Sequence, residues 1–103
     1  MYIYNVTSNV DEAINEEWLT WMQTEHIPQM LATGKFSNAR LTKVMVEEEM
    51  GGVTYSVQYV TDSKATLDEY FAQEAGLMQQ AVVKKYGSRV VSFRTELELL
   101  SDH

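Results

Sequence analysis

His26 is the first residue in this 103-residue chain whose type and position suit chemistry. It follows Met22 by four residues and Trp18 by eight, so on a helix it extends the apolar face rather than the solvent face. Pro28 stands two residues further on, and a proline removes a donor and disfavours helical geometry at the residue before it. The expectation is a break or kink at His26-Ile27-Pro28, where backbone groups lose partners. An imidazole there, with an ordinary pKa near ~6.5, is suited to hold a ligand or exchange a proton. It is also suited to cap carbonyls that the kink frees, and the sequence leaves both roles open.

Trp18 and Trp21 lie three residues apart and could wall a pocket for a flat ligand. Aromatic residues at helical spacing serve a core as readily, and Trp21 reads as the more open of the two. Tyr2, Tyr4, Tyr55 and Tyr59 offer hydroxyl handles, Tyr55 among them as a ligand-binding candidate, although strand packing also accounts for them. Arg40 and Arg94 fall mid-strand, where a lone cation is costly unless paired or exposed. A carboxylate ligand, a neighbour such as Glu96, or an acid from a partner subunit would each satisfy them, and structural pairing is the simpler reading. Asn5, Ser56 and Gln58 could add donors to such a patch.

Other chemistries lack their residues. The chain has no cysteine, which removes disulfides, thiolate nucleophiles and cysteine-ligated metals. The run Glu47-Glu48-Glu49 sits beside Gly51-Gly52 and reads as charge that keeps a hairpin tip soluble. No H-x-x-x-H spacing, glycine-rich phosphate loop or G-x-S-x-G motif occurs. A net charge of −7, with only Lys84-Lys85 adjacent among eight basic residues, argues against nucleic acid. No apolar run approaches the roughly 20 residues of a membrane span, and the opening residues lack the pattern of a signal peptide. The expected setting is cytoplasmic.

The elements that must position these residues alternate in a plain order. Residues 2–9 are aromatic and β-branched and predict a strand. Asp11 is placed to cap a helix carrying Ile14, Trp18, Trp21 and Met22 on one face. A short helical turn then runs from Met30 to Thr33 and ends at Gly34. Residues 36–47 and 53–61 predict two strands around the glycine hairpin. Asp62 or Ser63 caps a second helix whose apolar set is Leu67, Tyr70, Phe71, Leu77, Met78, Ala81 and Val82. Gly76 is its weak point and Gly87 its stop. Residues 89–99 form the last strand, and residues 101–103 a frayed tail. One domain over residues 1–100 follows, with the order βαββαβ and two helices on one face of a four-stranded antiparallel sheet. In the last strand the apolar parity, Val91, Phe93, Leu97 and Leu99, is expected against the core. The polar parity would then lie half covered by another subunit or line a wet cavity.

The segments YIYNVT, EEWLTWMQTEHIPQMLATGKF, VEEEMGGVTYSVQY and SFRTELELL resemble a family of short bacterial proteins of unknown function. The similarity covers nearly the whole chain, and W-x-x-W-M-x-x-x-H-I-P…T-G-x-F is its most specific part. That family is similar to the ferredoxin-like, dimeric α+β barrel superfamily. The resemblance implies a homodimer joined through its sheets and a small ligand between sheet and helices. It also implies kinship with cofactor-independent monooxygenases, haem-degrading enzymes and muconolactone isomerases, several of which carry a tryptophan followed by a histidine-proline near the first helix.

Three functions remain open. In the first, a small aromatic or carboxylate ligand occupies a cavity of roughly a few hundred Å³ between the first helix and the sheet. Trp18 and Trp21 are its walls, His26 the acid–base group, Arg40 or Arg94 the anchor, and the enzyme, monooxygenase- or isomerase-like, needs no cofactor. In the second, the domain is a non-catalytic dimeric assembly module with both arginines paired to acids. In the third, His26 is an axial ligand to haem.

Overall fold

In the computed structural model, which describes residues 1–46 and 51–103, four strands form one antiparallel sheet in the order β2-β3-β1-β4. They are β1 (Tyr2–Val10), β2 (Asn38–Lys43), β3 (Val53–Thr61) and β4 (Val90–Glu98). The helices are α1 (Asn15–Trp21), α2 (Ile27–Ala32), α3 (Lys64–Gln73) and α4 (Ala75–Tyr86). The architecture is the expected ferredoxin-like α+β fold. The acidic run at 47–49 lies outside the described residues.

Directly opposed residues of antiparallel strands point to the same face, so the register assigns the two sides of the sheet. Tyr4 opposes Tyr59, Val6 opposes Val57 and Ser8 opposes Tyr55. Tyr4, Ser8, Val10, Tyr55, Val57 and Tyr59 are all buried beneath the helices. Across the other edge of β1, Val10 opposes Val90, Ser8 opposes Ser92 and Val6 opposes Arg94. The polar parity of β4 therefore faces the helices, and the apolar parity faces away. Val91 and Phe93 are 64% and 65% exposed. This corrects the expectation drawn from β4 alone: the central strand chooses the face, and β4 follows it by pairing.

Of the break or kink expected at His26-Ile27-Pro28, the structure shows no break but a local change of helix type. Between α1 and α2, residues Met22–His26 form a π turn, closed by the Ile27 N–H donating to the Met22 carbonyl. His26 and Ile27 keep right-handed helical angles, and Pro28 falls in the first turn of α2, where its missing N–H is tolerated. The wider turn absorbs the proline without ending the rod. Gly34 then stops it with φ +77°, as expected.

The second helical segment is split instead. Glu74, at φ −121° and ψ −30°, interrupts it between α3 and α4, two residues before the suspected Gly76. Leu67 and Tyr70 are buried as predicted, whereas Phe71 is exposed and Leu77 is 70% exposed. Gly87 ends α4 with φ +57°. Of the two candidate caps, Ser63 serves: its Oγ accepts from the Thr66 N–H at 3.1 Å. Losing such a cap costs about 1 kcal/mol. Ser63→Ala should lower unfolding free energy by that amount in urea titrations, while Asp62→Ala stays within about 0.5 kcal/mol of the parent.

Candidate functional site

The even-numbered residues of β1 and β4 and the odd-numbered residues of β3 form the floor of a cleft roofed by the helices. Tyr4, Val6, Ser8, Val57, Tyr59, Ser92 and Arg94 come from the sheet. Trp18, Met22, His26 and Met30 come from the first helical segment, and Tyr70, Met78, Gln79 and Val82 from the second. The cleft reaches His26, as expected, but its volume is about 40 Å³ rather than a few hundred. That holds about three water molecules. Three of the lining residues are methionines, whose unbranched side chains repack easily, so the resting volume is a lower bound.

His26 faces inward from the π turn and is 6% exposed. The Trp21 ring stacks on it, with centroids 4.8 Å apart and planes inclined by 24°. Its Nδ1 is buried with no hydrogen-bond partner among the described residues, so it caps no carbonyl through that atom. Burial disfavours the imidazolium and brings its pKa down from 6.5 to about 4. At neutral pH the ring is an uncharged acceptor and donor.

Trp18 is 1% exposed, and its indole Nε1 likewise has no partner among the described residues. Its ring lies 5.0 Å from that of Tyr55, whose hydroxyl donates to Asn15 Oδ1 at 2.6 Å. Tyr55 thus supports Trp18 and does not line the cleft. Arg94 is exposed at the β4 edge of the cleft, and among the described residues no carboxylate lies within ion-pair distance of it. Glu96, the acid proposed for it, is instead 3.9 Å from Lys64. The Ser8 and Ser92 hydroxyls satisfy one another at 2.7 Å. Tyr70 donates to Met30 Sδ at 3.4 Å, and burial pushes the phenols of Tyr4, Tyr59 and Tyr70 up, so all three stay protonated at neutral pH.

Of the predicted site residues, the fold brings together His26, Trp18 and Arg94. Trp21 stands behind His26, beside a surface groove, with Lys85 Nζ 6.0 Å from its ring. Arg40 lies on the opposite face of the sheet, opposed to Gln58, and takes no part in the cleft. Asn5 and Ser56 share that outer face and bond to each other at 2.6 Å. Tyr4, Ser8, Gln79 and Ser92 were not foreseen as lining. The signal for two of them was the even parity of the first strand, Tyr4-Val6-Ser8-Val10, which is more apolar than Ile3-Asn5-Thr7-Asn9. Among the described residues no group of three or more His, Asp or Glu side chains is placed to hold a metal ion. Nor is any helix among them long and apolar enough to cross a membrane.

Comparison with solved structures places the fold among known proteins. HapK from Hahella chejuensis superposes with a TM-score of 0.71 at 11% identity, over 100% of this chain and 96% of its own. SnoaB, a cofactor-independent oxygenase from Streptomyces nogalater, gives 0.66 at 11% identity over 98% and 95%. A dimeric ferredoxin-like protein from an uncultured marine organism gives 0.64 at 10% identity over 99% and 97%. At these identities the likeness is one of fold. No curated protein sequence matches the chain. A family model does match, over residues 1–100, and the chain belongs to that family, described as Domain of unknown function (DUF4286).

Proposed function

We propose that this domain binds a small organic molecule in the cleft between the first helix and the sheet, and acts on it without a cofactor. Among the described residues, five buried side-chain polar atoms lack partners, and the observation that carries the reading is that two of them, Trp18 Nε1 and His26 Nδ1, belong to residues bordering one cleft, whereas those of Thr61, Glu74 and Tyr86 do not. A buried donor or acceptor left unmade costs about 1–3 kcal/mol, so two beside the same space call for a guest, water or ligand. His26, held neutral, is the proton acceptor of the site. An imidazole of such low pKa takes a proton only where the charge it leaves on the substrate is compensated, and the Trp18 N–H is the unpaired donor available for that compensation. SnoaB offers a precedent for cofactor-independent chemistry on this fold. Haem is the poorer reading, since Trp21 is stacked against the one histidine that lines the cleft.

With two tryptophans in the chain, the indole N–H region of a proton–nitrogen correlation spectrum holds two signals, and Trp21→Phe assigns them. Millimolar benzoate should shift the Trp18 signal; a Trp18 signal indifferent to benzoate and to a panel of comparable small acids and phenols would sink the proposal.

The outer sheet face has a separate role. Val91, Phe93 and Leu97 project from β4, with exposed Leu99 just beyond its end, as an apolar strip flanked by the uncharged Asn5, Thr7, Ser56 and Gln58. A strip of this kind on a soluble domain marks an association surface, and we assign it to a second copy of the chain. That leaves the cleft on the far side free, so assembly and ligand binding do not compete. The wild type should sediment as a dimer and Phe93→Asp as a monomer; a wild type that is monomeric at tens of micromolar contradicts the assignment.

His26 also ties stability to pH. Between its unfolded value of 6.5 and its folded value of about 4, the unfolded chain binds a proton that the folded chain refuses. Stability should therefore fall as pH drops through that window, by roughly 3 kcal/mol in all, and be unaffected by this group above it. Denaturant titrations of wild type and His26→Leu should differ in slope over this range. Parallel pH profiles would show that His26 titrates normally.

A further inference from the structure

Resting on the reading of the cleft as a ligand site, we infer that its ligand is an aromatic carboxylate carrying a hydroxyl remote from the acid, with the acid at Arg94 and the hydroxyl between Trp18 and His26. The polar groups lining the cleft divide into satisfied and unsatisfied ones. Ser8 and Ser92 bond to each other, so they make no demand on a guest. Trp18 Nε1 and His26 Nδ1 have no partner among the described residues, and Arg94, which meets the Tyr4 hydroxyl, has no acid there to balance its charge. Indole and guanidinium are donors only. A guest must therefore present acceptors at both places, which excludes amines and other cations.

The two places differ in setting. Arg94 is exposed, so the group it holds keeps part of its hydration and can be a full anion. Trp18 and His26 are more than nine-tenths buried, where an anion would be costly and a neutral group is favoured. A hydroxyl suits this end better than a carbonyl: its oxygen accepts from the indole N–H while its proton goes to the unprotonated imidazole nitrogen. The cleft is also lined by the rings of Tyr4, Tyr59 and Tyr70 and the movable side chains of Met22, Met30 and Met78, a lining matched to a flat apolar body. In a chain with 15 acidic and eight basic residues, no acid lines the cleft and an arginine does. The local field thus opposes the sign of the whole molecule.

Titrations of the full chain with 4-hydroxybenzoate, benzoate, phenol and benzylamine, followed by the Trp18 indole N–H signal, test this. 4-Hydroxybenzoate should bind about tenfold or more tightly than benzoate or phenol, since each lacks one polar contact, and benzylamine should bind weakest. In Arg94→Gln, an exposed position with little risk to folding, 4-hydroxybenzoate should fall to the affinity of phenol while phenol is unchanged. Trp18→Phe, which lacks that signal and is followed by titration calorimetry, should weaken 4-hydroxybenzoate and spare benzoate, and the comparison among ligands on the wild type stands even if this variant does not fold. Equal affinities, or preference for the amine, with the Trp18 signal still responding, would overturn the ligand class and leave the site. No response of Trp18 to any of the four would remove the site and the ligand class together.

Discussion

The pairing of β1 with both β3 and β4 is the constraint on which the rest of the molecule depends. β1 is the strand that pairs on both sides with a strand of its own length, and its parities differ in burial, with Tyr4, Ser8 and Val10 buried and Asn5, Thr7 and Asn9 half-buried on the other side, a division that β3 repeats. Once its even residues face the helices, every opposed residue must follow, because a one-residue slip would exchange all faces at once. That is why β4 turns Ser92 and Arg94 toward the helical layer and leaves Phe93 outside. A strand that looks inside-out by its own composition is thus consistent with its neighbours, and the same geometry produces both the polar edge of the cleft and the apolar outer strip.

The cleft joins two environments that a small protein seldom places side by side. Its deep end is dry and aromatic, with the indole of Trp18 held against Tyr55 and the imidazole of His26 against Trp21. Its outer end is an arginine in water. Burial acts in the same sense on every titratable ring here, keeping the histidine neutral and the phenols protonated. No carboxylate lines the cleft, and of its lining residues only Arg94 carries a formal charge near neutral pH to meet the charge that a guest or a reaction brings. Tight aromatic packing around Tyr4, whose ring contacts those of Phe36, Tyr59, Tyr70 and Phe71, gives the floor its rigidity.

Element order, the glycine stops at 34 and 87 and the inward direction of Trp18 and His26 were legible in the sequence, because each rests on local periodicity or on a residue with one backbone preference. The face of β4 was not, since alternation gives two parities and only pairing with β1 decides between them. The same ignorance of register left Arg40 and Arg94 indistinguishable, although the sheet separates them by its full thickness. The way Pro28 is accommodated was left open between break and kink for another reason. A missing donor can be accommodated by breaking a helix or by widening it, and the choice lies with the packing of Met22 and Met30 on either side, both buried. Tyr55, offered as a ligand-binding candidate, lies outside the lining of the cleft, and its bond to Asn15, 40 residues away, was not readable from local pattern.

The π turn has a consequence for how the length of this chain can vary. A turn closed from the Ile27 N–H to the Met22 carbonyl carries one residue more than an α-helical turn spanning the same gap. Removing one residue between Trp21 and Ile27 would let the ladder close in the ordinary way, with Trp18 and Met30 still on their present faces. The segment is thus a natural place for insertions and deletions of a single residue that leave the core intact. What such a change would alter is the imidazole: the fold tolerates either length, and only the longer one presents His26 to the cleft.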